Sequence, residues 1–376
     1  MLICFHATTE AKSALDAILA TGHFRDISEA ISMALLNYGV MNQTVSEAGQ
    51  VFSAAAPAQA ATSPASERAA SAPPAPQSQI ARTPTPAPSA PEIPEAFSLK
   101  VSSADGLNLL QPPPPPAAES TTLPPAQWLF GQFNKFLAPK ATCRALLNLL
   151  LENPAGIPVA EASNKISYAA CYLGDYLQRL DDRLQSRRED AFSAAFPSSA
   201  IEGGGESRLR FGNQFVANIR QDQLGGFPAA LRLLAMDTAK EPRLSLTKAG
   251  ADFALLENPV LDGHSTPPAR KLSQAEVEFL LDHIIHSVPE ETSAYAAILD
   301  AIQSGANTPD TVDKYLRQRF NLLTEKAITK TFLTTQRTGA ISRLADLGLI
   351  AREKQGLRVT YLVTKPGGEF RSQIKS

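Results

Sequence analysis

The chain has 376 residues, 29 prolines, three cysteines and a formal net charge of -2, a length with room for two or three domains. Cys4, Cys143 and Cys171 form no CxxC pair, so neither a disulfide framework nor a zinc ribbon is indicated and a reducing, cytoplasmic setting is expected. No apolar run approaches the ~18 residues of a membrane span, and the N-terminus lacks the basic region and small-residue cleavage site of a secretory signal.

The first forty residues have their own pattern. A short apolar strand, Leu2 to His6, precedes helical spacing through Ala14, Leu15, Ile18 and Leu19, and Thr21-Gly22-His23-Phe24 makes a turn. Asp26, with Glu29 three residues on, caps a second helix whose inner face is Ile27, Ala30, Ile31, Ala34 and Leu35. Strand, helix, turn and a helix opening Ser28-Glu29-Ala30-Ile31 resembles the ribbon-helix-helix family. That resemblance implies a module over residues 1–41 in which strands of two chains pair, and hence a homodimer. The family reads DNA with polar and basic strand residues, whereas this strand carries no Lys or Arg.

Residues 42–126 read as a disordered linker. Seventeen of the 29 prolines fall between Pro57 and Pro125, among Ala, Ser and Thr, a composition that buries too little apolar surface to offset its ordering entropy. Two apolar islands interrupt it, Ala96 to Val101 and Leu107 to Leu110. They are either a docking motif for a protein partner (residues 96–110) or a bland patch in a tether.

Ordered sequence resumes near Trp128. Ala141 to Leu151 predicts an apolar helix ended by Asn153-Pro154-Ala155-Gly156, Pro158 to Asn164 a second, and Ser167 the cap of a long third, a helix-turn-helix order. Arg208 to Ile219 is either a strand or a short helix. Later, Tyr295 to Ile302 predicts a helix, Thr308-Pro309 a cap with Pro at the first helical position, and Val312 to Phe320 the next helix.

A self-match about 117 residues apart organises the C-terminal two thirds. Leu246-Thr247-Lys248-Ala249-Gly250-Ala251-Asp252-Phe253 aligns with Val363-Thr364-Lys365-Pro366-Gly367-Gly368-Glu369-Phe370, each after a helical and a strand-like run. A strand ended by Thr, then Gly and an aromatic anchor, resembles the wing exit of bacterial winged helix-turn-helix regulators. In the second copy Thr334 or Thr335 is the expected cap of a recognition helix that Gly348 ends. Leu349 and Ile350 then start a strand, Lys354-Gln355-Gly356 turns, and Leu357 to Val363 returns.

The expected fold is therefore mainly α with small β wings: an N-terminal ribbon-helix-helix (1–41), a disordered Pro/Ala-rich linker (42–126) and two tandem winged helix-turn-helix domains (127–262 and 271–376). Charge supports DNA contact in the last of these. From Thr311 onward there are thirteen Lys and Arg against five Asp and Glu, whereas 261–310 holds eight acids against two bases, the asymmetry of a face that meets phosphate. The winged-helix resemblance places Gln336, Arg337 and Thr338 at the groove entry, Arg343 further along the recognition helix and Arg352, Lys354 and Arg358 on the wing. Lys314 and Arg317 sit on the preceding helix. Gln and Arg make bidentate contacts to base edges, while wing cations need only phosphate.

Glu278, Asp282, His283 and His286 share a helical face, but two usable ligands on one helix do not close a metal site. No G-x-S-x-G, HExxH, Walker A or GxGxxG sequence is present. The sequence thus predicts a non-enzymatic DNA-binding protein without cofactor or metal, partnered by double-stranded DNA. It acts either as a transcriptional regulator or tether, or as an adaptor in a DNA-maintenance or defence complex.

Overall fold

A computed structural model describes residues 92–114, 122–199, 205–237, 241–263, 268–321, 329–356 and 358–375. Residues 1–41 and 42–91, with the expected ribbon-helix-helix and most of the linker, lie outside the described residues. The described chain is mainly helical with small antiparallel sheets, and residues 86–376 cluster as one compact unit.

Helix α1 (Leu137–Glu152) leads through the left-handed Gly156 into the two-residue strand β1 (Ile157–Pro158) and α2 (Val159–Leu184). A short helix α3 (Gly205–Phe211) runs into a π-turn, hairpin β2 (Asn218–Arg220)/β3 (Gln223–Gly225) and the single turn α4 (Phe227–Ala230). Strands β4 (Leu234–Asp237) and β5 (Arg243–Leu246) follow, with β1 on the other edge of β5, and α5 (Lys248–Leu255) closes this first unit.

The second unit begins with α6 (Gln274–Ser287), nucleated by a capping box between Ser273 and Glu276. After α7 (Pro289–Gln303), Thr308 and Thr311 form a second capping box and Pro309 opens α8 (Pro309–Arg319). Helix α9 (Lys330–Asp346), hairpin β6 (Ile350–Gln355)/β7 (Arg358–Val363) and α10 (Lys365–Lys375) complete it.

The internal repeat extends to matched hydrogen bonds. Thr247 Oγ1 accepts from Gly250 N at 3.0 Å and Thr364 Oγ1 from Gly367 N at 3.1 Å. Thr247 N donates to Leu233 O, and Thr364 N to Leu349 O. Each glycine backs onto that same carbonyl so closely that a Cβ would collide with it. Strand β1 meets β5 at Ile157 opposite Leu244, and the loop carbonyl of Asn307 accepts from Tyr361 N at the matching point of β7. Gly156 and Gly305, both at φ +92, turn the chain at equivalent places before β1 and Asn307.

The two copies differ where the sequence suggests likeness. The first-unit helix-turn-helix is absent: 159–184 is one continuous helix, because Ser167 turns its hydroxyl back to Asn164 O instead of capping and the apolar face from Val159 through Ile166, Leu173 and Leu180 never breaks. The run before the first copy of the motif, Pro228 to Met236, which the repeat reads as helical, is one turn followed by β4. Residues 205–211 are helix and 218–220 strand, so both readings of 208–219 hold in part. In the second unit α9 starts five to six residues earlier than expected, since Thr329 provides the cap by accepting from Phe332 N.

The apolar islands of the expected linker are consumed within the chain. Phe97 is fully buried against α1, Asn148 donates to the carbonyls of Ala96 and Ser98, and Leu110 N donates to Leu246 O beside β5. Docking of a separate protein through residues 96–110 would compete with these contacts. Residues 122–136 form a strap across α9, with Trp128 donating to Leu123 O and its ring edge-on to Phe320.

One hydrophobic core runs through both units, and ion pairs join them. Lys140 of α1 is wholly buried, donating to Phe253 O at 2.6 Å, to Leu256 O and to Glu276 of α6 at 2.9 Å. Arg144, one turn on, donates to Ala254 O and Leu256 O and pairs with Asp262. Two cations thus cap the negative end of α5. Arg232 pairs with Glu290, while Lys135 and Lys271 both face Asp346.

Candidate nucleic-acid interface

The expected DNA-facing residues separate into two groups. Gln336, Arg337 and Arg343 are 2%, 6% and 0% exposed. Gln336 accepts from Gly131 N and donates to Pro125 O and Trp128 O, all on the strap. The strap approaches so closely at Gly131 and Gly339 that a Cβ on either would strike the other segment's backbone. Arg337 pairs with Asp313 of α8 at 2.7 Å. Arg343 pairs with Glu291 of α7, donates to Phe133 O and lies over the Phe227 ring. Placing these three side chains in a groove is therefore corrected: their donors are spent inside the protein, and a buried guanidinium must be paired.

Thr338, Lys314, Lys354 and Arg358 are exposed, with Arg317 and Arg352 half-buried. Among the described residues none of Lys314, Arg317, Lys330, Arg352, Lys354 and Arg358 enters an ion pair. Lys314, Arg317 and Lys330 line a shallow cleft of about 370 Å³ with Asp310, Asp313 and Gln318. From its floor, Asp313 holds Arg337, which reaches Tyr361; Arg352 is the cross-strand neighbour of Tyr361, and Lys354 and Arg358 continue toward the hairpin turn. Burial pushes the Tyr361 phenol above its ordinary range, with Arg337 and Arg352 opposing that shift. Arg352 Nε is itself buried with no acceptor among the described residues. Sequence reasoning missed Lys330, which opens α9 one residue after its cap.

The exposed stripe of α9 is uncharged beyond Lys330: Thr331 and Thr338 are exposed, and Thr334 and Thr335 half-buried. Thr335 Oγ1 is returned to Thr331 O, and Thr334 Oγ1 to Asp313. At the offset of the repeat, α9 corresponds in the first unit to the π-turn, hairpin β2/β3 and one turn of helix, so among the described residues that unit shows no matching helix.

The acidic stretch 261–310 is largely spent on internal pairs: Asp262 with Arg144, Glu276 with Lys140, Glu290 with Arg232, Glu291 with Arg343, and Asp300 with Arg319 and Arg371. His283, from the histidine face considered for metal, stacks on Phe279 and donates from Nε2 to Leu231 O at 2.7 Å; burial holds its imidazole below the ordinary range. No helix among the described residues is long and apolar enough to cross a membrane.

Compared with known proteins, the chain matches no family model, no curated protein and no solved structure.

Proposed function

We propose that residues 271–376 form a winged helix-turn-helix unit, that residues 127–262 are a second copy stripped of its recognition helix, and that the chain is a non-enzymatic protein that holds duplex DNA by its backbone. The observation that carries this reading is the sorting of cations. Every described Arg of 311–376 outside the cleft and hairpin is ion-paired, whereas six cations spanning α8, the start of α9 and β6/β7 are not. Cations left at the surface without partners suit phosphate, which needs charge rather than a bidentate fork. With Gln336 and Arg343 withdrawn, readout of base edges falls to the threonines of α9, and occupancy or tethering becomes the principal mode of action. A homodimer through residues 1–41 would present two such surfaces.

The test is fluorescence anisotropy of the full chain on mixed-sequence duplex across a salt series. The expected result is micromolar binding with a log–log salt slope of about -3 or steeper. Arg352→Ala/Lys354→Ala/Arg358→Ala flattens the slope and weakens all sequences alike. A specific observation favours the adaptor reading instead: the strap and the first unit seal the α9 face that carries Gln336 and Arg343. Flat, weak DNA binding by the full chain, unchanged in the triple variant, together with co-purification of a protein partner, would overturn the DNA reading in favour of the adaptor.

A further inference from the structure

Between the arm of residues 92–110, the C-terminal half of α1 and the first two turns of α2 lies a cleft of about 220 Å³. It is smaller than the ~300–1,000 Å³ typical of cofactor-sized sites. Ala96, Ala145, Leu149 and Ile166 give it apolar walls, and Asn148 lines it from α1. The arm meets α1 here in a single 3-10 turn, Glu95–Phe97.

Asn148 is 7% exposed, and only half of its amide is satisfied. Its Nδ2 donates to Ala96 O at 2.9 Å and to Ser98 O at 2.8 Å, both carbonyls of the arm. Of the two amide atoms only the nitrogen can donate, so these bonds fix which way the group faces. Oδ1 is thereby turned from the arm, buried, and without a donor among the described residues. Buried acceptors in native proteins are almost always paired.

The charges around the cleft indicate which donor fits. Glu95 pairs with Lys100 at 2.9 Å, and Lys165 with Glu161 at 2.8 Å. Glu152 is exposed, lies one helical turn from Asn148 on the same side of α1, and enters no ion pair or hydrogen bond among the described residues. The Lys165 amine is held above its ordinary range first by its bond to Glu161 and, more weakly, by the charge of Glu152. Three carboxylates thus meet two ammoniums, and one carboxylate is left over. Helix α1 ends at Glu152, so the negative end of its dipole adds to the same field. An unpaired amide oxygen, a surplus carboxylate and a helix C-terminus favour a cation with several N–H donors, and the apolar walls favour an aliphatic stem.

We propose that this cleft binds a small primary ammonium on an aliphatic stem, which donates to Asn148 Oδ1 and to Glu152 while its methylenes lie against Ala145, Leu149 and Ile166. Asn148 also holds Ala96 and Ser98, so occupancy tightens the arm on α1. The site is independent of the DNA reading.

The test is saturation-transfer NMR on the full chain at neutral pH, with n-butylammonium chloride as the probe. Butan-1-ol has the same stem without charge, and butyltrimethylammonium has the charge without N–H donors. With about five non-hydrogen atoms, the probe is expected to bind with a millimolar Kd, and both controls at least fivefold more weakly. Glu152→Gln is expected to weaken the probe about tenfold, whereas Glu278→Gln on the exposed face of α6 leaves it unchanged. Asn148→Leu is expected to abolish binding and lower the melting temperature; if that chain does not fold, Glu152→Gln and the two controls decide. Nα-acetyl-lysine methylamide carries the same stem and ammonium on a peptide unit and so separates the sources of the ligand. Binding as tight as the probe or tighter assigns the cleft to a lysine side chain of another protein, and weaker binding assigns it to a free amine. No saturation transfer with the probe at about 50 mM, equal signals from either control, or indifference to Glu152→Gln would each overturn the proposal.

Discussion

Arg343 is fully buried with its charge shared between Glu291 and a strap carbonyl. Removing one member of such a pair leaves the other charge uncompensated, which costs about 3–5 kcal/mol. Arg343→Met is therefore expected to lower the urea midpoint strongly, and Glu291→Gln in the same chain to restore part of the loss. An undiminished loss in the double variant would show that packing, not charge, is what Arg343 supplies. Lys271 gives a pH-dependent counterpart. Burial, opposed by Asp346, lowers its amine from 10.5 to about 8. The unfolded chain thus binds more protons than the folded one between those values, and stability contributed at this site rises as pH climbs through that window. Lys271→Met is expected to raise the melting temperature at pH 7 and to remove that share of the alkaline gain, measured as the difference from wild type between pH 7 and 10.

At the scale of elements, the T-K-x-G motif is a packing device. The threonine caps a helix from the end of a strand, and the glycine allows that helix to sit on the carbonyl two strands back. Gly250→Ala and Gly367→Ala each drive a methyl into backbone that cannot yield as a side chain would. Losses of about 1–3 kcal/mol are expected at both positions in chemical denaturation, similar in size because the geometry is matched. The motif and its period were legible in sequence because both copies retain the same short-range chemistry. So were α1, the Thr308-Pro309 cap and hairpin β6/β7, all set by caps, glycine turns and local apolar periodicity. The break between Asn164 and Ser167 was misread because serine favours a cap only when the apolar face ends there, and on α2 it continues. The cap of α9 was misplaced because four threonines crowd its first turns and only backbone geometry selects Thr329.

At the scale of the molecule, both units share one core and buried cross-unit pairs such as Lys140 with Glu276. Residues 86–376 are therefore expected to unfold in a single calorimetric transition, and two resolved transitions would refute the shared core. The second unit made alone would expose Glu276 and the strap-facing side of α9, so DNA measurements belong on the full chain. The sequence by itself determined the helical class, the repeat, the hairpin and the basic character of the C-terminal part, since these depend on residues near one another in the chain. Only the tertiary structure decided which cations are available. Arg343 and Arg358 look alike in sequence, but Arg343 is buried by Glu291, 52 residues away, and by Phe133 of the strap, 210 residues away, whereas Arg358 stays exposed. The cost of an unpaired buried charge is settled by those long-range neighbours, and local sequence carries no record of them.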